Sequence, residues 1–290
     1  MRVDNPTDGD DRVPEHDHVR SAEPAEMPAE ARDREECHDD LRAYDQVPGR
    51  LSAVGRSDGP RFGGDGGWKW KGLELGPEAN RVADQGLAAR QAAEGRDAAG
   101  NYGEGGLTPA MRRVEAELEH GTLAPDTEKL ALKSPDRFKE KLAKMIERYP
   151  GHPCGDLVSA IHDGIRYTFL FPTEDYTAGV ADATQALTDR GYDLRISKPS
   201  WHEGDYRGVN SRWRDTESGI LFEVQFHTPE SWEAKQKTHD IYEKLCDTRT
   251  PPREREQLEE LQRLIVATIP VPAGAQAITH YVKGQPDDHE

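Results

Sequence analysis

The chain has 290 residues, of which 34% are hydrophobic and 32% charged, and its formal net charge is −17. So acidic a chain is a poor candidate for coating DNA or RNA, because that binding runs on a basic stripe that neutralises phosphates. A small basic pocket for a nucleotide stays open.

No apolar run approaches the roughly 20 residues that cross a bilayer. The opening residues, MRVDNPTDGDDRVPEH, have neither the basic nor the apolar region of a secretory signal. Cys37, Cys154 and Cys246 are odd in number, far apart, and match no zinc spacing or disulfide framework. The expectation is a reduced, cytoplasmic protein.

Residues 1–105 read as a tail. The first sixty are rich in Asp, Glu, Pro and Gly and offer too little apolar surface to offset chain entropy, so disorder is expected. RFGGDGGWKWKG, with Trp68 and Trp70, reads as a loosely packed linker, with a short docking motif as the alternative. A weak helix follows on Ala, Arg and Gln propensity.

The pattern changes at Leu107. Thr108 and Pro109 are expected to cap and start a helix. Ser134-Pro135 opens a second, in which Phe138, Leu142, Met145 and Ile146 recur at helical spacing. A short helix leads to Ile161. IRYTFLF reads as a buried strand, residues 175–190 as a helix and YDLRISK as a strand. YRGVNSRWRD and GILFEVQFH form a hairpin around Asp215 to Gly219. Two more helices follow, from Pro229 and from Arg253. The order predicts an α+β domain over residues 106–283, a small mixed β-sheet flanked by helices. Residues 284–290 read as a second disordered tail.

In LFEVQFHT, alternation puts Phe222, Val224 and Phe226 on one face and Glu223, Gln225 and His227 on the other. A polar row opposite an apolar one is ordinary for a sheet with one exposed face. The preceding segment carries Tyr206, Arg207, Asn210, Arg212 and Arg214, so the carboxylate would face cations and a phenol across the hairpin. That mixture suits Mg²⁺ and phosphate, since the metal takes carboxylate oxygen and the phosphates take Arg or Lys.

DYRGVN followed by FEVQFHT resembles the paired GYRxxH and EVQIRT signatures of the RelA/SpoT alarmone, or (p)ppGpp, synthetases. LKSPDRFKEK is similar to that family's ATP-binding segment, and HDGIRYT to its first catalytic strand. The likeness spans most of residues 107–281 in the family's order. It implies a nucleotidyltransferase-like synthetase domain in a divergent member, actinobacterial-type or toxin-like. It implies Glu223 and Asp163 as catalytic carboxylates and Mg²⁺ ligands, and Lys133, Arg137, Lys141 and Arg166 on the ATP phosphates. Residues four and eight apart share a helix face, so the first three would reach one triphosphate. Tyr206, Arg207, Asn210, Gln225 and His227 are the implied acceptor-binding set.

Several residues depart from the family pattern. Asp163 lies three residues before Arg166 rather than five, and an odd spacing puts the two on opposite faces of a strand unless Gly164 interrupts it. Ala131 stands where an arginine is common, Arg137 replaces a serine, Asn210 the histidine of the first signature, and His227 the arginine of the second. The implied reaction is ATP-dependent pyrophosphate transfer to GDP, GTP, an adenine nucleotide or the 3′ end of tRNA. A stand-alone synthetase or toxin-like effector, held by an antidote or regulator, fits such a chain. The alternatives are an inactive nucleotide sensor and a partner-binding adaptor. The pairs His162-Asp163 and His239-Asp240 lack the surrounding histidines of a metal-dependent hydrolase. Trp201, Trp213 and Trp232 read as packing residues, with Trp213 near enough to the pocket to touch a base.

Overall fold

The structure, a computed structural model, describes residues 59–64, 66–97, 101–202, 206–246 and 250–283. The expected tails over residues 1–58 and 284–290 lie outside these residues.

The expectation of a tail up to residue 105 is corrected within the described range. Strands β1 (Arg61–Phe62), β2 (Trp68–Trp70) and β3 (Leu73–Leu75) form an antiparallel sheet. Helix α1 (Pro77–Glu94) follows. Trp68 is fully buried and its indole donates to Asp136 Oδ1 at 3.0 Å. Trp68, Leu75, Ala83 and Leu87 pack with Phe138, Leu142, Met145, Leu157 and Ile161 in one core. The stripe of α1 is thin on its own, but a tryptophan is a large apolar surface, and hairpin and helix together cover the next helical layer.

That layer contains α2 (Leu107–Glu117), α3 (Thr127–Leu130), α4 (Pro135–Arg148) and α5 (Cys154–Ala160), with β4 (Thr122–Leu123) between α2 and α3. Pro135 takes the first helical turn of α4 as expected. The cap of α2 is Gly106 rather than Thr108. The Thr108 hydroxyl instead lies 2.8 Å from the Tyr167 hydroxyl across the core.

The main sheet also contains β5 (Arg166–Leu170), β6 (Tyr192–Pro199), β7 (Val209–Asp215), β8 (Leu221–His227) and β9 (Tyr281–Val282). Its order is β4-β5-β8-β7-β6-β9. The pair β5–β8 is parallel and its neighbours are antiparallel, so the sheet is mixed, as the sequence predicts. Helix α6 (Tyr176–Asp189) makes the crossover from β5 to β6 that a parallel pairing requires. Val180, Ala183 and Leu187 of α6 and Leu107, Met111 and Val114 of α2 share one core with Tyr167, Phe169, Trp213, Phe222, Val224 and Phe226 of the sheet. Helices α7 (Pro229–Cys246) and α8 (Pro252–Ala267) close the chain's helical part. Among the described residues no helix is long and apolar enough to cross a membrane.

Candidate active site

The alternation in β8 holds, with one correction. The polar face of β8 is not solvated: Glu223, Gln225 and His227 are as buried as the phenylalanines opposite. The parallel register sets Arg166 beside Glu223 and Thr168 beside Gln225. The antiparallel register sets Arg212 and Asn210 beside the same two residues. A carboxylate in the central strand therefore has an arginine opposite it in each neighbour.

Asp163 joins this row from a turn. Residues 163 and 164 precede β5 rather than extending it, so strand alternation does not separate Asp163 from Arg166. Their charged groups lie 3.6 Å apart. Backbone pairing of residues 131–133 with 164–166 brings in the cations. Arg166 N donates to Ala131 O at 2.8 Å and Lys133 N to Gly164 O at 3.0 Å. Lys133 Nζ then sits 2.8 Å from Asp163 Oδ2, and Lys141 Nζ from α4 sits 3.0 Å from Oδ1. Ala131 is 1% exposed in the sheet core.

Arg166 connects the two carboxylates. Its Nε donates to Glu223 Oε2 at 2.9 Å while Nη2 faces Asp163. Gln225 Nε2 donates to Glu223 Oε1. Burial alone would raise the Asp163 carboxyl, but Lys133, Lys141, His162 and Arg166 hold it well below the ordinary carboxylate range. His162 moves the other way: burial, with Arg212 and Lys141, pushes it well below the usual imidazole value.

The remaining expected residues divide. Tyr206, Asn210 and His227 come together: the Tyr206 hydroxyl donates to Asn210 Oδ1 at 2.7 Å and lies 2.8 Å from His227 Nε2. Ser231 Oγ meets His227 Nδ1 at 2.9 Å. Burial and the nearby Lys235 charge hold His227 well below the usual imidazole range. Arg207 donates to the Tyr206 carbonyl at 2.9 Å. Lys133 lies in the bridge before α4 and not on its face, where helix spacing had put it. Arg137 pairs with Glu140 at 3.1 Å and lies 5.4 Å over the Trp70 ring. Trp213 is fully buried among the apolar residues opposite Glu223, bonded to Ser211 Oγ at 2.8 Å, which removes it as a base contact.

Two residues escaped the sequence reading. Arg90 on α1 is buried, and its guanidinium donates to the carbonyls of Gly86, Val158 and Ile161 at 3.1, 2.8 and 2.7 Å. It fixes the segment leading to Asp163, and burial lowers it to about 10 despite the favourable field of Asp163. A Cβ on Gly164 would come within 2.4 Å of Arg90 Nε, so only glycine fits that turn. The available signal was that Arg90 falls at helical spacing on the Ala83–Leu87 stripe. Lys235 on α7 is the second; it donates to Gln225 Oε1.

Two carboxylates flanking one guanidinium offer hard oxygen ligands. That donor set fits Mg²⁺, which is ordinarily held by one or two carboxylates together with substrate phosphates. Among the described residues no group of three or more His, Cys, Asp or Glu forms a metal cage from protein alone.

Fold and site together define an α+β domain whose mixed sheet buries a cation–carboxylate cluster suited to phosphates. No family model matches the chain, and no curated protein matches it in sequence. Among solved structures the chain is similar to the small alarmone synthetase 1 from Bacillus subtilis, at 13% identity over 65% of this chain and 92% of that one, with a TM-score of 0.43. It is also similar to the small alarmone synthetase 2 from the same organism (17% identity, 62% and 90% covered, TM-score 0.39). A GTP pyrophosphokinase family protein from Streptococcus pneumoniae matches at 17% identity, 54% and 79% covered, with a TM-score of 0.35.

Proposed function

We propose that the chain is an ATP-dependent diphosphotransferase that moves the β,γ-pyrophosphate of ATP to the 3′-hydroxyl of an acceptor nucleotide. The observation that supports this most is the composition of the cluster. Lys133, Lys141, Arg166 and Lys235 are four basic side chains around two carboxylates, Asp163 and Glu223, joined through Arg166 and Gln225. Buried ion pairs contribute little net stability, and this set has more basic groups than acidic ones inside a chain of net charge −17. A seat for a polyphosphate and its metal accounts for so many lysines and arginines beside two carboxylates.

The chemistry follows from positioning and charge neutralisation. The acceptor O3′ attacks the β-phosphorus, its proton passes to Glu223, and the bond from the β-phosphorus to the α,β-bridging oxygen breaks, releasing AMP. Lys133 and Lys141 bind the triphosphate, and Arg166 offsets charge on the transferring group while holding Glu223. Tyr206 offers its ring to the acceptor base, a stack worth roughly 1–3 kcal/mol. Mg²⁺, when bound, neutralises phosphate charge beside Asp163 and Glu223. The acceptor is a guanine nucleotide, an adenine nucleotide or a tRNA 3′ end.

The test is to incubate the purified protein with Mg²⁺, labelled ATP and each acceptor in turn. AMP and a pyrophosphorylated acceptor are the expected products. ATP left intact with every acceptor overturns the proposal. One observation favours a second reading, a nucleotide sensor without turnover: both Asp163 oxygens already face lysines. Saturable ATP binding with no AMP release is its signature.

A further inference from the structure

Lys235 is 4% exposed, while Lys237 on the same helix lies at the surface with Glu233. Burying an ammonium is costly unless its protons are used. Its Nζ donates to Gln225 Oε1, and Gln225 Nε2 donates to Glu223 Oε1. An ammonium can only donate, so the amide oxygen faces Lys235 and the amide nitrogen is left to face Glu223. Glu223 Oε2 is held independently by Arg166 at 2.9 Å. The ammonium lies 5.4 Å from the Trp232 ring centre and 5.5 Å from that of Tyr206, which set its place by cation–π attraction.

We propose that Lys235 is a positioning residue for Glu223, fixing the rotation of its carboxylate through Gln225 from a seat against Trp232 and Tyr206. The proposal rests on the reading of Glu223 as proton acceptor. With Lys235 in place, each carboxylate oxygen has a fixed donor, and the lone pairs left over point in one direction. Without it the buried Gln225 Oε1 loses its donor, and the amide leaves its place beside Glu223 to find another. The same lysine touches the ring proposed to carry the acceptor base, so α7 sets base seat and carboxylate against each other.

Lys235→Met keeps the stem and removes the donor, and Lys235→Arg restores one. The Gln225 side-chain amide, assigned in the nitrogen–proton NMR spectrum by its loss in Gln225→Met, is the first readout. In Lys235→Met it loses its protection from solvent exchange, and in Lys235→Arg it regains it. The second readout is turnover: Lys235→Met lowers kcat for AMP release roughly 100-fold, the cost of a misplaced group, with KM for ATP changed by less than about twofold. An amide signal unmoved in Lys235→Met overturns the proposal whether or not the protein has activity. Absence of AMP release from the wild type overturns the transferase reading instead and leaves the spectrum to decide the positioning. If Lys235→Met does not fold, Gln225→Met breaks the same relay, and full kcat in that variant overturns the proposal.

Discussion

Arg166 and Glu223 occupy paired positions in two parallel strands, and the guanidinium Nε meets the carboxylate at 2.9 Å. The contact seats Glu223 beside a permanent cation whose other nitrogen faces Asp163. Glu223→Gln keeps the shape and removes the proton acceptor. AMP release is expected to fall about 1,000-fold, within the range of general-base catalysis. Thermal unfolding should shift by only a few degrees, and a variant that retains full AMP release excludes this carboxylate as the base.

Arg90→Met tests the support behind Asp163. The change removes a side-chain donor from the carbonyls of Gly86, Val158 and Ile161. Val158 O keeps the Ile161 N–H at 3.2 Å and Gly86 O its helical partner, so the orphaned acceptor is Ile161 O. A stability loss of about 1–3 kcal/mol in urea unfolding is the expected result. A midpoint unchanged from wild type would show that the carbonyls find other donors. Gly164→Ala should act in the same direction, because the new methyl meets the same guanidinium.

Truncation separates the tail from the body. A chain beginning at residue 59 keeps every contact described above. One beginning at residue 106 loses Trp68, Leu75, Ala83 and Leu87 and so exposes Phe138 and Leu142 of α4. The longer form should unfold cooperatively near the full-length midpoint. The shorter form should aggregate or unfold at much lower temperature, and equal midpoints would contradict the packing.

Acid should destabilise the fold in two stages. His162 and His227 have folded pKa values below the ordinary 6.5, each mainly through burial. A base whose folded pKa is depressed takes its proton first in the unfolded chain, so its stabilisation is complete above pH 6.5 and lost as pH falls below it. Each histidine contributes a slope of up to about 1.4 kcal/mol per pH unit. Asp163 has the same sign in a lower window. Its folded value lies below the ordinary 3.8, so its contribution holds above pH 3.8 and drains below that. Urea midpoints measured from pH 8 to pH 2.5 should fall below pH 6.5 and again below pH 3.8, and His227→Gln should flatten the upper stage.

Periodicity carried most of the main domain into view. The strands around Tyr167, Ile196, Trp213 and Val224 and the helices after Ser134 and Pro229 lie where apolar spacing placed them, because there a single residue type repeats at one period. The Trp68 hairpin and α1 were not legible in the same way. Their apolar residues are few, and burial comes from α4 rather than from any pattern of their own. Pairing order across the sheet was equally hidden, because nothing in the IRYTFLF segment announces that its partner is β8 and that the two run parallel. At the site, the motif residues Asp163, Arg166 and Glu223 were readable one by one. Their meeting depends on the turn at Asp163-Gly164, the bridge from Lys133 and the guanidinium of Arg90, which local spacing does not encode. Lys133 shows the reverse error: helix spacing placed it on the face of Lys141, but it lies in the bridge before α4 and reaches Asp163 from there.

The partnership of Arg166 with Glu223 spans 57 residues of chain, closed by α6, β6 and β7. Loops of that size form late, and contacts of high sequence separation slow folding. On the ribosome, a nascent polypeptide that has emerged only through α6 has Lys133, Lys141 and Asp163 but neither the partner strand nor Lys235. The activity proposed for this chain therefore switches on only after synthesis has passed β8 and the sheet has zipped shut.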